Sequence, residues 1–175
     1  MFLGNDFGTL KSFKKVLPRG YEDVPTWRHL RQRLNKATIP GEIGFYTNAV
    51  LGLRTDKNAL GKTDWSCDPD FCQFVGEFLR FQLEMMKPRL LVVLGSNAKN
   101  TVCTTLEADI PGIALWREKE LSSMESAETI QVVEWRKRKL VMHLTSHPYS
   151  DLRKDDARKA ETVQRLKQAW ETATA

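Results

Sequence analysis

The order of apolar runs along this chain predicts an α/β sandwich built around a mostly parallel sheet. Strand-like and helix-like segments alternate, and the run "LLVVLG" is apolar without interruption. A strand that is apolar on both faces needs cover on both faces, which helices supply in α/β folds. At 175 residues the chain is long enough for one such domain, spanning 1–175.

Each element can be justified in turn. "MFLG" is a short apolar piece meeting Gly4, the signature of a strand end entering a loop. Residues 9–25 contain two prolines and a glycine and read as a long, partly irregular connection. From Thr26 onward, Trp27, Leu30 and Leu34 recur at helical spacing, with Thr26 in the N-cap position. "IPGE" breaks that helix, and "IGFYTNAVL" is rich in β-forming residues, predicting a buried strand. Residues 52–68 are polar and form a loop.

"DPDFCQFVGEFLRFQLEMMK" reads as a long amphipathic helix, with Phe71, Val75, Phe78, Leu79 and Gln82–Leu83 along one side. Asp68 and Pro69 stand where a cap and a first-turn proline belong. Lys87-Pro88 stops this helix; a fully buried strand follows, and Gly95-Ser96 open another helix over residues 97–107. "ETIQVVEWRKRKLVMHLTSHP" alternates apolar and polar residues around a basic turn, predicting a hairpin or two adjacent strands. The tail "DDARKAETVQRLKQAWETA" is a capped amphipathic helix.

Composition narrows the function classes. Hydrophobic residues make up 41% and charged residues 28%, so the chain is neither disordered nor membrane-spanning, and its longest apolar run is far too short for a bilayer. The N-terminus has no basic region followed by a long apolar one, so no secretory signal is read there. Three cysteines, an odd number, argue against a disulfide scaffold and place the protein in the cytoplasm. The net charge of +5 suits a polyanionic partner, and basic residues concentrate at 11–36, 135–139 and 153–167.

In open parallel sheets, ligands sit at the carboxyl ends of the strands. That rule selects "GNDFG", "TNAVLG", "LGSNA" and "SHPYSDLR". "LGKTDW" is set aside: a phosphate-binding loop would need glycine where Asp56 stands. Cys67, Cys72 and Cys103 lack a matching fourth ligand, and His143 and His147 do not pair with them, so no metal site is read and core thiols are the better account.

The remaining residues have two readings each. Asp6, between Gly4 and Gly8, is either a tight-turn residue or an acid at the mouth of the sheet, able to orient water or stabilise a developing cation. Asn48, at a strand end, is a turn residue or an amide that reads the edge of a planar base. His147, fixed by Pro148, is a satisfied turn histidine or a donor to a leaving group. Three such residues at three strand ends of one sheet are harder to dismiss together than singly.

In order and spacing, these segments resemble the uracil-DNA glycosylase superfamily, and within it the family 4-like branch. "FLGNDFG" is similar to its first motif, and "FYTNAVLGLR" to the strand whose asparagine contacts the base. "CQFVGEFLRFQLEMMKPRLLVVLGSNA" is similar to its long helix and following strand, and "SHPYSDLR" to its second motif. The resemblance spans most of residues 2–154. It implies a three-layer α/β/α sandwich with a central, mostly parallel four-stranded sheet. It also implies hydrolysis of the N-glycosidic bond of uracil or a related deaminated base, flipped out of DNA.

Carried over by position, the resemblance gives Asp6 and His147 catalytic roles: Asp6 on the sugar cation and the attacking water, His147 on the base oxygen. Asn48 would read the base, with Tyr21, or alternatively Phe13, stacking on it. Leu152 would wedge into the duplex, and Arg153 and Ser96 would contact DNA. Phe7 stands where the family usually has proline, and Tyr149-Ser150 reverse the order of the closest branch. Of that branch's iron–sulfur cysteines only Cys72 has a counterpart, with Gly52 in place of another, so no cluster and no other cofactor is expected. The first motif lies almost at the start of the sequence, where the family has a preceding segment.

The expectation is thus a monomeric, cytoplasmic, DNA glycosylase-like enzyme with no membrane partner. A non-catalytic nucleic-acid-binding relative and a hydrolase of free nucleosides or nucleotides stand as alternatives.

Overall fold

The computed structural model describes residues 1–16, 24–53, 68–121, 124, 126–148, 150 and 155–175. Within them a five-stranded sheet has the order β2-β1-β3-β5-β4. Its strands are β1 (Phe2–Gly4), β2 (Tyr46–Asn48), β3 (Leu90–Leu94), β4 (Ile130–Trp135) and β5 (Arg138–Thr145). β2, β1, β3 and β5 run parallel, while β4 is antiparallel to β5. The sheet is therefore mixed and five-stranded, which corrects the expected four strands. The cause is the basic turn: Arg136 and Lys137 both have positive φ, 50° and 64°, as in a two-residue I′ turn, which can only fold the chain back beside itself.

The helices are α1 (Leu10–Val16), α2 (Pro25–Lys36), α3 (Pro69–Met86), α4 (Gly95–Leu106), α5 (Ala114–Glu118), α6 (Ser126–Thr129) and α7 (Asp156–Thr174). Two separate cores cover the two faces of the sheet, an arrangement compatible with a three-layer sandwich. On one face Leu79 and Leu83 of α3 and Ala98 and Val102 of α4 pack on Leu3, Leu91, Val93 and Met142. On the other, Leu30 and Leu34 of α2 and Leu166 and Ala169 of α7 pack on Phe2, Val92, Leu94 and Val141. The alternation of Leu91/Val93 with Leu90/Val92/Leu94 between the two cores is the period-2 geometry of a strand buried on both sides.

Several local expectations hold. Asp68 accepts a hydrogen bond from the Phe71 amide at the head of α3, Lys87 ends that helix at φ 46°, and Asp155 caps α7 through the Arg158 amide. Others need correction. Thr26 is not a cap: Pro25 already occupies the first turn of α2, and Val24 stands at its N-cap without a side-chain bond. Within the partly irregular connection of residues 9–25, α1 occupies Leu10–Val16. The strand expected over "IGFYTNAVL" shortens to Tyr46–Asn48, because Gly41–Ile43 form a 3-10 turn closed by the Tyr46 hydroxyl on the Gly41 carbonyl. Among the described residues no helix is long and apolar enough to cross a membrane.

Candidate functional site

The carboxyl ends of the four parallel strands lie side by side. Gly4 is in register with Asn48, and Leu94 with Thr145. A cavity of about 460 Å³ opens there, and Asp6, Asn48, Ser96 and His147 all line it. Four residues expected to act at one site, each from a separate segment, are thus brought together, along with the aromatic rings of Phe7, Phe13 and Trp27. Tyr21, Leu152 and Arg153 lie outside the described residues, as do Asp56, Cys67 and Tyr149. Phe13, the alternative to Tyr21, stands in the cavity wall with its ring edge-on to Phe7 at 6.1 Å.

Two glycines make room for the two side chains that matter most. A Cβ on Gly4 would lie 2.4 Å from Oδ1 of Asn48, so the carboxamide rests directly on bare backbone. Gly95 has φ +84°, and a Cβ there would meet the His147 Cβ at 3.0 Å. A glycine at a strand's end, or just past it, therefore leaves the space in which a neighbouring side chain sits. Asn48 itself is buried, and its carbonyl accepts from Nε2 of Gln82 at 3.4 Å. Gln82 in turn takes the Thr47 hydroxyl at 2.6 Å, so α3 fixes the end of β2.

Asp6 is held within its own loop. Oδ1 accepts the Gly8 amide at 2.7 Å and Oδ2 accepts Nδ2 of Asn5 at 2.8 Å. Asn5 is positioned from α4, since its Oδ1 accepts the Thr101 hydroxyl at 2.9 Å. The carboxylate is half-buried at the cavity wall, with its orientation set by an Asx turn and a neighbouring helix.

The His147 loop is gripped from below. Arg33, only 3% exposed, donates to the Ser146 carbonyl at 2.7 Å, the His147 carbonyl at 3.3 Å and the Thr145 hydroxyl at 3.4 Å. Ser150 folds back on the same His147 carbonyl through its amide at 2.8 Å and its hydroxyl at 2.7 Å. Ser150 thus closes the turn that follows His147. The guanidinium clamp and the serine fix the backbone that carries the imidazole, leaving the ring at the cavity wall.

Arg33, Asn5, Thr101 and Gln82 were not singled out from the sequence. One signal existed for Arg33: it lies three residues after Leu30 and so falls on the apolar stripe of α2, where a charge needs buried partners. Trp27, placed at helical spacing with Leu30 and Leu34, is half-buried, packs edge-on to Tyr46 at 5.6 Å, and also lines the cavity. Of the thiols, Cys103 is buried and burial pushes its pKa up to about 11, whereas Cys72 is only half-buried. Among the described residues no three His, Cys, Asp or Glu side chains gather as metal ligands would. No protein-family model matches the chain, and no curated protein sequence matches it.

Proposed function

We propose that the protein is a DNA glycosylase-like hydrolase that removes uracil or a related deaminated base by hydrolysing the N-glycosidic bond. The carrying observation is the meeting of Asp6, Asn48 and His147 at one cavity with aromatic walls. The finer fold reading belongs with this proposal: a uracil-DNA glycosylase-like three-layer sandwich whose four parallel strands are extended by β4.

In this reading the base enters between Phe13 and the Asn48 amide, whose donor and acceptor pair with the base edge. The C1′–N bond breaks with its electron pair leaving on the base, while water attacks C1′. The Asp6 carboxylate faces the sugar, where it favours the developing cation and aligns the water. His147 donates a hydrogen bond to the base oxygen as negative charge builds, and the water's proton is finally taken up by the departing base. Arg33 holds the loop so that this donor is in place before the reaction, avoiding reorganisation during it. Partner, compartment and monomeric state are proposed with it: DNA, the cytoplasm, one chain.

A second reading has an observation on its side. Both Asp6 oxygens accept bonds inside their own loop, as a purely structural turn residue would. A nucleic-acid-binding relative without turnover is the corresponding proposal. Oligonucleotides carrying uracil, hypoxanthine or xanthine separate the two: base release abolished by Asp6→Ala supports the enzyme. DNA binding without release from any substrate supports the binder.

A further inference from the structure

A second and larger cleft, about 740 Å³, lies at the edge of the sheet. It exists because the two strands of the hairpin end at different points. β4 begins at Ile130, opposite His143, while β5 runs on to Thr145. Among the described residues no strand lies beside Leu144 and Thr145 on that edge, and the gap is walled by α4 on one side and α7 on the other.

His143 lines this cleft and is 1% exposed. Its Nδ1 lies 3.3 Å from the Thr129 carbonyl. A carbonyl only accepts, so Nδ1 carries the proton and Nε2 presents a lone pair. That Nε2 is buried with no hydrogen-bonding partner among the described residues, and so is Nε of Arg165, a donor on the same cleft. A buried acceptor and a buried donor left open in one cleft call for a group that supplies both, such as a hydroxyl or the N–H/C=O edge of a base.

The lining is rich in charge. Lys99, Arg117, Lys119, Arg158 and Arg165 contribute cations, and Glu118, Glu120 and Glu161 contribute acids. Arg117 pairs with Glu107, Lys119 with Glu128 and Arg165 with Glu161. Arg158 meets Asp155 at 3.7 Å, a long and exposed contact, so its guanidinium at the rim is the group suited to a phosphate. The volume is that of a site for a small organic ligand.

We propose that this cleft binds a nucleotide, its phosphate against Arg158 at the rim and an N–H or O–H of its base or sugar donated to Nε2 of His143. Ser96 lines both this cleft and the strand-end cavity, so the two adjoin. The nucleotide is either free or the neighbour, on one strand, of the unit occupying the first cavity. The inference rests on the groups of the second cleft alone, whether or not the protein releases a base.

The test is titration of the full chain, with ¹⁵N-labelled histidine, by inorganic phosphate, ribose 5-phosphate, each nucleoside 5′-monophosphate and a short single-stranded oligonucleotide. The chain has three histidines, so His29→Gln and His147→Gln assign the His143 signal. A nucleotide should shift the His143 Nε2 resonance. His143→Phe, or Arg158→Glu should the former not fold, should weaken binding by roughly five- to tenfold, the loss of one hydrogen bond or ion contact to a ligand. Binding of a mononucleotide identifies the free source; binding of the oligonucleotide alone, with the same shift, identifies the strand. Binding that leaves His143 Nε2 unmoved, binding of inorganic phosphate alone, or no binding at all overturns the proposal.

Discussion

Two histidines stand four residues apart at the end of the same strand, and they live in different chemistry. His147 lies past the end of β5, half-buried, on a backbone clamped by Arg33 and Ser150 and facing a cavity with aromatic walls. His143 lies within β5, wholly buried in the wall of a charged cleft, with one ring nitrogen bonded to Thr129 and the other without a hydrogen-bonding partner among the described residues. Burial, reinforced by the nearby Arg165 and Arg33 charges against the opposing Thr129 hydrogen bond, lowers the His143 pKa to about 4, so the ring is neutral near pH 7. The contrast teaches that the strand-end rule locates one kind of site and is blind to another, which arises where one strand of a hairpin outruns its partner.

Arg33 touches both histidine environments, so its removal should have the largest effect. Arg33→Ala leaves the Ser146 and His147 carbonyls without their donor and empties the space of the buried side chain. The expected loss is about 4 kcal/mol, at roughly 1–3 kcal/mol for each partly buried carbonyl, measured by urea unfolding. A loss below about 1 kcal/mol would show that the clamp is dispensable.

The next effect isolates His143. Its folded pKa lies below the ordinary value of 6.5, so the unfolded chain binds the proton more readily between the two. The stability that His143 contributes is fully present above pH 6.5 and is lost as pH falls through about 4, roughly 3 kcal/mol across the window. His143→Asn, which keeps a donor for Thr129 but does not titrate, should flatten that part of the stability-against-pH curve. An unchanged curve would mean that His143 is not the group responsible.

Gly4→Ala acts on the first cavity alone. The new Cβ at 2.4 Å from Oδ1 of Asn48 must push the carboxamide aside, costing about 1–3 kcal/mol as overpacking does. Base release should fall with it, while any nucleotide bound at His143 should bind as before. Loss at both clefts would show that they are not independent. The smallest effect is expected from Phe13→Ala, which should weaken binding of an oligonucleotide carrying the target base by about 1–2 kcal/mol, the worth of one stacked ring. An unaltered affinity would remove Phe13 from the base pocket.

How far the sequence reached can be judged residue by residue. β3 and α3 were plain because burial on two faces leaves an unbroken apolar run, and because Asp68, Pro69 and Lys87-Pro88 mark the helix ends by local chemistry alone. Asp6, Asn48 and His147 were findable because each follows a strand, and parallel strands bring their ends together whatever lies between them in sequence. β4 was seen only as half of a possible hairpin; that it would add an antiparallel edge to the sheet depends on pairing, not on local pattern. The contacts of Arg33 with residues 145–147 span more than a hundred positions, and no local rule reports them. The second cleft was invisible for a related reason: it is a difference in length between two paired strands.

The central claim, that the strand-end cavity breaks an N-glycosidic bond, is tested most directly by incubating the protein with oligonucleotides that carry uracil, hypoxanthine or xanthine and measuring the free base. The account predicts release of at least one base by the wild type, lost in Asp6→Ala and reduced in His147→Ala, with both variants still folded. DNA binding that weakens steeply with salt but is followed by no release from any of these substrates would contradict it.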